Sequence, residues 1–247
     1  MINSQTKALL ESFSHIDLFA EHQAVLIGGT ALAYHLGHRE SFDLDICFPF
    51  CDKLPKLDFL DDFEEVVPLE FDRAKIDTAI NEGGDINELM QRYIINGVKV
   101  DFVVNPSSNI FESEILQNDT STRLGTLRIA SVESIFKLKS LLLLDRNKIR
   151  DLYDVVYMFK NCDFGGKDMI ETIMRYRITY QPRHIIDLIK AKKEDPFDFE
   201  GIENAVMDIT DYKKLKEELL SDFTDCKRCF PTLNQSSNLS NKGNKRQ

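Results

Sequence analysis

The sequence predicts an α+β fold, a mixed-sheet lobe followed by an α-helical lobe, and three observations carry that prediction. Short apolar runs with a period of two recur as far as Ile129, as in strands buried on one face. Beyond Ala130 the apolar period becomes helical and strands cease. Between an early strand and the helix after it stands Gly28-Gly29, a turn whose missing side chains let one element pass directly into the next.

The chain of 247 residues is 43% hydrophobic, enough for a substantial core in one large or two modest domains. Its patterning divides it into a sheet lobe at 1–130, a helical lobe at 131–225 and a tail at 226–247.

Thr6 to Phe19 reads as one amphipathic helix, with Leu9, Leu10, Phe13, Ile16 and Leu18 at roughly helical spacing. A strand follows at Ala24 to Ile27, then the glycine pair, then a helix from about Thr30 to Leu36 that Gly37 can end in a left-handed cap. Phe42 to Phe48 alternates as a strand, with Leu44, Ile46 and Phe48 on one face and Asp43, Asp45 and Cys47 on the other. Tyr34 and Phe42 are expected to pack. The acidic stretch from Cys51 to Glu88 combines a strand-like Val66 to Phe71 with weak helical pieces and no decisive pattern.

Asn96-Gly97 is the strongest hairpin signal in the chain and joins strands at Arg92 to Asn96 and Val98 to Val104. Val98, Val100, Phe102 and Val104 share one face, which puts Asp101 on the other beside Lys99 and Val103. Thr126 to Ile129 supplies a last short strand. Ser131 is placed to cap a helix to about Leu144, and Asn147 another to about Lys160. Further helices are expected at Lys167 to Tyr176, Pro182 to Lys193 and Phe199 to Ser221.

A formal net charge of -10 excludes general nucleic-acid binding and confines any such contact to a local basic patch. Arg123, Arg128, Arg146, Lys148 and Arg150 form the one basic concentration near the presumed site. Five cysteines at irregular spacing fit free thiols in a reducing compartment, so the expected location is cytoplasmic. No run of about 18 apolar residues is present, so no membrane span is expected, and Met1 to Ala20 lacks the pattern of a signal peptide.

From Cys226 onward the chain has five basic residues and no acidic ones among many Asn and Ser, a composition that reads as disordered. Taking those five charges out of the total leaves a body of net charge -15. Cys226-x-x-Cys229 lacks the second ligand pair of a zinc site and reads as two spare thiols. The absence of Gly-x-Ser-x-Gly and of a phosphate-binding Walker loop removes serine hydrolases and P-loop ATPases from consideration.

Asp43 and Asp45 lie two apart on a strand, so their carboxylates leave one face with Cα atoms roughly 6.5 to 7 Å apart. If the Asp101 strand pairs nearby, three anions converge. Like charges at that range oppose folding unless a cation lies between them, and an all-oxygen donor set suits magnesium. Two ions about 3.5 to 4 Å apart can activate a hydroxyl and neutralise a leaving pyrophosphate in an in-line displacement. An isolated Asp-x-Asp is usually the solvated face of an edge strand. Here Gly28-Gly29 stands upstream with 13 intervening residues, between a strand and a helix N-terminus, where backbone N–H groups and the helix dipole favour phosphate.

In the helical lobe, Lys137 and Lys139 diverge by about 200° on a helix, so only one can face a given site. Asp151 and Asp154 share a helix face, with Arg150 one turn before Asp154, and local helix electrostatics explain part of that arrangement.

Gly28-Gly29-Thr30-Ala31-Leu32, Gly37-His38-Arg39 and Ser41-x-Asp43-Leu44-Asp45 together resemble the signature of the AbiEii-type nucleotidyltransferases, toxins within the DNA polymerase β-like superfamily. Lys139, Arg146 and the block Arg150-Asp151-Leu152-Tyr153-Asp154 resemble the same family, and the likeness covers about residues 20 to 160. The resemblance implies a polymerase β palm-like nucleotidyltransferase lobe followed by the helical lobe, with nucleotide between them. It implies that Asp43 and Asp45 bind two Mg2+ ions, that Asp101 completes the site and assists the attacking hydroxyl, and that Gly28, Gly29 and Thr30 hold the phosphates of an NTP.

By the same resemblance His38 and Arg39 are triphosphate-binding or loop-anchoring residues. Ser41 is either a phosphorylation switch or a plain turn hydroxyl. Register against the family motif selects Lys139 as the lysine on the β or γ phosphate. Asp151 then orders Lys139 and Arg146 or contacts the nucleotide, and Asp154 is structural.

The activity expected is transfer of a nucleoside monophosphate from an NTP to a hydroxyl acceptor with release of pyrophosphate. The resemblance makes the protein a toxin acting on RNA at a tRNA 3′ end, with a cognate antitoxin as partner. The alternatives are a transferase that nucleotidylates protein hydroxyls and a catalytically inactive binding module of the same fold.

Overall fold

The computed structural model describes residues 1–81, 84–106, 110–195, 202 and 204–226. It opens with two helices, α1 (Ser4–Phe13) and α2 (Asp17–Glu21), where one was expected over Thr6 to Phe19. The chain breaks at Ser14 because that residue is engaged elsewhere. Its carbonyl accepts the Thr126 N–H at 2.8 Å and its hydroxyl donates to the Glu11 carbonyl at 2.6 Å.

β1 (Val25–Ile27) is buried throughout and runs straight into α3 (Gly28–Leu36), which Gly37 closes in the left-handed conformation at φ 57°, as expected. β2 (Leu44–Cys47) follows. The acidic stretch resolves into a 3-10 turn at Asp58–Asp62, β3 (Val66–Pro68), α4 (Arg73–Asn81) and α5 (Ile86–Leu89). β4 (Met90–Ile95) and β5 (Val98–Val103) form the expected hairpin, and Asn96 and Gly97 both take positive φ, 48° and 78°. α6 (Ser113–Gln117), β6 (Thr122–Leu124) and β7 (Leu127–Ile129) complete the sheet region. β6 was not anticipated, since Thr122 and Arg123 are exposed and offer no apolar alternation to read.

Among the described residues seven strands join one mixed sheet in the order β3-β4-β5-β2-β1-β7-β6. β2 pairs antiparallel with β1 and parallel with β5, while β1 pairs parallel with β7. A parallel pair needs a long crossover, and the acidic stretch with β3, β4 and their helices is that connection between β2 and β5. The stretch also contributes to the core. Phe59 meets Phe13, Phe19 and Phe102 with ring centroids at 6.0, 5.4 and 5.9 Å, and Phe63 meets Phe13 at 5.8 Å. Phe102 is on the opposite face of β5 from Asp101, so this aromatic cluster backs the carboxylates.

Tyr34 and Phe42 do not pack as expected; they are 41% and 44% exposed. The Tyr34 ring lies edge-on to His35, whose Nε2 is held 2.8 Å from the Ala130 carbonyl. Phe42 is fixed by its backbone, which accepts the Thr6 hydroxyl at 2.7 Å and leaves the ring outside.

The chain forms two compact units, one of Met1–Lys139 with Gly201–Asp208, the other of Ser140–Glu200 with Ile209–Gln247. α7 (Val132–Asp145) runs across the division, and Ser131 caps it by accepting the Ser134 N–H at 3.1 Å. The second unit holds α8 (Ile149–Asn161), α9 (Gly166–Tyr176), α10 (Pro182–Ala191) and α11 (Tyr212–Cys226). α11 packs against α8, α9 and α10, with Leu215, Leu219 and Phe223 buried.

Two expected helix starts differ. Asn147 does not cap α8; its side chain accepts the Lys192 ammonium at 2.8 Å and Lys148 precedes the helix without a capping bond. α11 begins at Tyr212 rather than near Phe199, because Asp211 caps it, accepting the Lys214 N–H at 3.0 Å. Phe199 itself, the expected disordered tail beyond Cys226, and Cys229 of the Cys-x-x-Cys pair lie outside the described residues. Among the described residues Cys47, Cys51 and Cys162 are free thiols, and no helix is long and apolar enough to cross a membrane.

Candidate active site

Strand register brings the acids together. β2 and β5 are parallel neighbours with Asp45 opposite Asp101, so the two carboxylates stand side by side on one face of the sheet. Asp43, two residues before Asp45, shares that face. Lys99, two before Asp101, sends its ammonium between them, 3.6 Å from Asp43 Oδ2 and 3.4 Å from Asp101 Oδ2. Arg92 lies opposite Asp101 on β4 and donates from Nε to Asp101 Oδ1 at 3.2 Å. Its guanidinium rests over the Phe71 ring, 5.8 Å from the centroid.

The Asp45 carboxyl is held above the usual carboxylate range, chiefly by burial and then by the negative charge of Asp101. Asp43 pushes it the same way, while Lys99 and Lys139 pull it back. These residues carry out the electrostatic logic expected of clustered acids: they repel, and cations have been placed to compensate.

β1 pairs with β2 so that Ile27 faces Asp45, which sets Gly28 against the carboxylates. Gly28 has φ +74°, and a Cβ there would lie 2.2 Å from Asp45 Oδ2. A Cβ on Gly29 would meet Arg39 Nη2 at 2.5 Å. No side chain caps α3, so the amides of its first turn are offered to an anion without competition from a cap. Thr30, buried in that turn, is 2.7 Å from the Ser41 hydroxyl and also donates to the Asp43 carbonyl. The loop beneath is fixed from both sides. His38 is fully buried and its carbonyl accepts the Val206 N–H at 3.0 Å, while Arg39, also buried, donates to the Glu40 carbonyl at 3.0 Å.

The two lysines of α7 separate as helical geometry requires. Lys137 pairs with Glu133 one turn back at 2.6 Å, while Lys139 is 4% exposed and its charge is felt at Asp45. If Lys139 is the phosphate-binding lysine that the family resemblance selects, Lys139→Ala is expected to raise the KM for NTP about tenfold or more, the worth of one charged phosphate contact, with Lys137→Ala near wild type. Steady-state kinetics on both variants check this.

In the helical unit Arg146 and Asp151 form a two-pronged pair, Nε to Oδ2 at 2.6 Å and Nη2 to Oδ1 at 3.0 Å, with Asp151 fully buried in the first turn of α8. Lys192 adds to the fixation by donating to the Arg146 carbonyl at 3.1 Å. Asp154 is likewise fully buried.

Arg128, read from sequence as part of a basic patch, is instead a clamp inside the fold. It is 8% exposed and donates to the Ser121 hydroxyl at 2.7 Å and to the carbonyls of Leu116 and Asp119 at 3.2 and 3.4 Å. Arg128→Ala should therefore lower stability by about 1–2 kcal/mol, read by urea denaturation, with little change in any nucleic-acid contact.

Sequence reasoning left Arg92 and Lys99 without a role. Counting outward from the two-residue turn at Asn96-Gly97 puts Arg92 opposite Asp101, and alternation puts Lys99 on the Asp101 face, so both were recoverable. Among the described residues no three His, Cys, Asp or Glu side chains form a ready-made metal cage, and a lysine stands among the carboxylates. The donor set still fits a hard divalent cation: oxygens only, on one face, repelling one another, beside a glycine whose Cβ would intrude.

The profile of one protein family, described as the nucleotidyl transferase AbiEii toxin of type IV toxin–antitoxin systems, matches residues 9–235. Among solved structures the fold is similar to the crystal structure of an H. pylori protein designated a nucleotidyltransferase, with a TM-score of 0.51 and 17% identity over 94% of this chain and 98% of that one. No curated protein matches the sequence. With the family profile running along nearly the whole chain and the sheet carrying its acids and glycine turn in one place, the protein belongs to the AbiEii nucleotidyltransferase toxin family.

Proposed function

We propose that this nucleotidyltransferase moves a nucleoside monophosphate from an NTP to a hydroxyl at the 3′ end of an RNA, a tRNA by family resemblance, and releases pyrophosphate. The observation that carries the reading is the register of Asp45 with Asp101, beside Asp43 and the Gly28 turn. Asp43, Asp45 and Asp101 would hold Mg2+, two ions by resemblance, and the bound cations supply neutralisation of the triphosphate and acidification of the attacking hydroxyl. Gly28, Gly29 and Thr30 present backbone N–H groups to the phosphates. The acceptor oxygen bonds to the α phosphorus, the bond to pyrophosphate breaks, and the hydroxyl proton passes to Asp101.

Lys139 balances charge on the β or γ phosphate. His38 and Arg39 hold the loop beneath the glycine pair, and Ser41 acts as a turn hydroxyl that fixes Thr30. The assignment of Arg146 and Asp151 to the nucleotide rests on the family resemblance. A cognate antitoxin partner and a cytoplasmic setting follow from the same source.

One observation favours a protein acceptor instead. The body charge of -15, together with the engagement of Arg128 inside the fold, gives a long RNA contact few cations. Incubation with each α-labelled NTP, Mg2+ and separate RNA and protein acceptors tests the reading. Label in RNA that is lost in Asp45→Ala is the expected result; label in protein alone overturns the RNA acceptor. No label and no NTP binding by calorimetry would leave a binding module of this fold.

A further inference from the structure

We propose that Lys99 is a built-in stand-in for the divalent cation, holding Asp43 and Asp101 together in the metal-free protein and leaving as the metal enters. The inference rests on the reading of Asp43, Asp45 and Asp101 as metal-binding residues and adds a competitor within the same site. Three structural observations carry it.

The first is placement. The Lys99 ammonium lies 3.6 Å from Asp43 Oδ2 and 3.4 Å from Asp101 Oδ2, spanning carboxylates that come from different strands. One positive charge at that point offsets repulsion among three negative ones, which is the electrostatic work a bound cation does there.

The second is looseness. Both separations are ion-pair distances beyond the 2.7–2.9 Å of a close charged hydrogen bond, and the Lys99 side chain is 25% exposed. An ammonium on a flexible four-carbon stem with one side to water can turn outward without disturbing the strand that bears it.

The third is the division of the Asp101 oxygens. Oδ1 accepts Arg92 Nε at 3.2 Å, and Arg92 is braced over Phe71. Oδ2 faces the ammonium. Arg92 therefore fixes the orientation of the Asp101 carboxylate, and Lys99 occupies the oxygen that a metal would take. Arg92 stays in place while Lys99 is displaced.

Two measurements test the exchange. The first is Mn2+ binding, followed by the electron paramagnetic resonance of free Mn2+, in wild type, Lys99→Met and Asp45→Asn. Lys99→Met is expected to bind Mn2+ on the order of tenfold more tightly, because the competing charge is gone. Its melting temperature in EDTA should fall below wild type and be restored by Mn2+, since the charge between Asp43 and Asp101 is then supplied by the metal. Asp45→Asn should bind weakly. Equal affinity in wild type and Lys99→Met overturns the stand-in role and leaves the metal site standing. Absence of Mn2+ binding in every protein overturns the metal site and the inference with it.

The second measurement needs no variant. Acetylation of Lys99 in the wild-type protein, read by peptide mass spectrometry after a short pulse of an amine-reactive ester, should accelerate several-fold when Mn2+ is saturating. An unchanged rate at Lys99 overturns the proposal even if Lys99→Met fails to fold.

Discussion

Asp45→Ala is expected to abolish nucleotidyl transfer, by about a thousandfold or more, while the fold in EDTA becomes no less stable. The size follows from the several kcal/mol of transition-state charge stabilisation that a bound cation provides, at 1.36 kcal/mol for each factor of ten. The unchanged stability follows from the environment of the carboxyl. Burial and the neighbouring Asp101 and Asp43 all disfavour its charged form, so removing it relieves a repulsion. Rapid-quench assays and melting curves on the same preparation check both halves, and a large loss of stability would mean that the attractions of Lys99 and Lys139 outweigh burial and repulsion at Asp45.

The same environment sets a pH dependence with a definite sign. Because the folded protein raises the Asp45 carboxyl above its ordinary value, the folded state binds that proton more tightly than the unfolded chain does. The contribution to stability is therefore present at pH below the ordinary carboxylate range and is withdrawn as pH rises through the folded-state value. Urea midpoints in EDTA should decline across that interval in wild type, and Asp45→Asn should remove this part of the decline. Mn2+ affinity should move in the opposite direction, since the ligand must lose its proton to bind.

Gly28→Ala is expected to be nearly as damaging to activity and, unlike Asp45→Ala, to destabilise. An L-residue at φ +74° costs about 1–2 kcal/mol in backbone strain alone. The new Cβ would also fall 2.2 Å from Asp45 Oδ2, so the carboxylate must swing out of register with Asp101. We expect transfer to drop at least a hundredfold, as misplacement by about 1 Å in a positioned site does. Gly37→Ala separates the two effects. It carries a comparable φ of +57° with nothing within 4 Å, so it should lose stability and keep activity. Gly29→Ala needs no positive φ but brings its Cβ 2.5 Å from Arg39 Nη2 and 3.4 Å from the Ser41 hydroxyl, so the end of the Arg39 side chain must shift, and its backbone strain should be the least of the three.

Much of this site was legible because its parts are local. Alternation over Phe42 to Phe48 put Asp43 and Asp45 on one face, the Asn96-Gly97 turn set the hairpin, and alternation again put Asp101 opposite Phe102. What single-strand periodicity cannot give is the neighbour of a strand. That β2 lies parallel to β5, with Asp45 level with Asp101, depends on a crossover whose own pattern was unreadable.

The reasons for that opacity are physical. Phe59 and Phe63 stand in a 3-10 turn and a loop among acidic residues, so their burial against Phe13 and Phe102 has no helical or strand period. The break between α1 and α2 depends on a hydrogen bond from Thr126, remote in sequence. Arg128 has the composition of a nucleic-acid contact and the geometry of an internal clamp, and only its partners distinguish the two. Tyr34 and Phe42 look like core residues and are outside: the Phe42 backbone carbonyl is held by Thr6, and beside Tyr34 it is His35 whose ring reaches the Ala130 carbonyl.

The long excursion between the two central parallel strands has a bearing on the order in which the acidic face is assembled. During translation Gly28, Asp43 and Asp45 leave the ribosome more than fifty residues ahead of Asp101, and the hairpin bearing Asp101 must then slot in next to a strand that has been waiting for it. A nascent polypeptide that has not yet reached that hairpin has no third carboxylate, no Arg92 and no Lys99. The acidic face of the sheet is thus complete only once β5 has paired with β2.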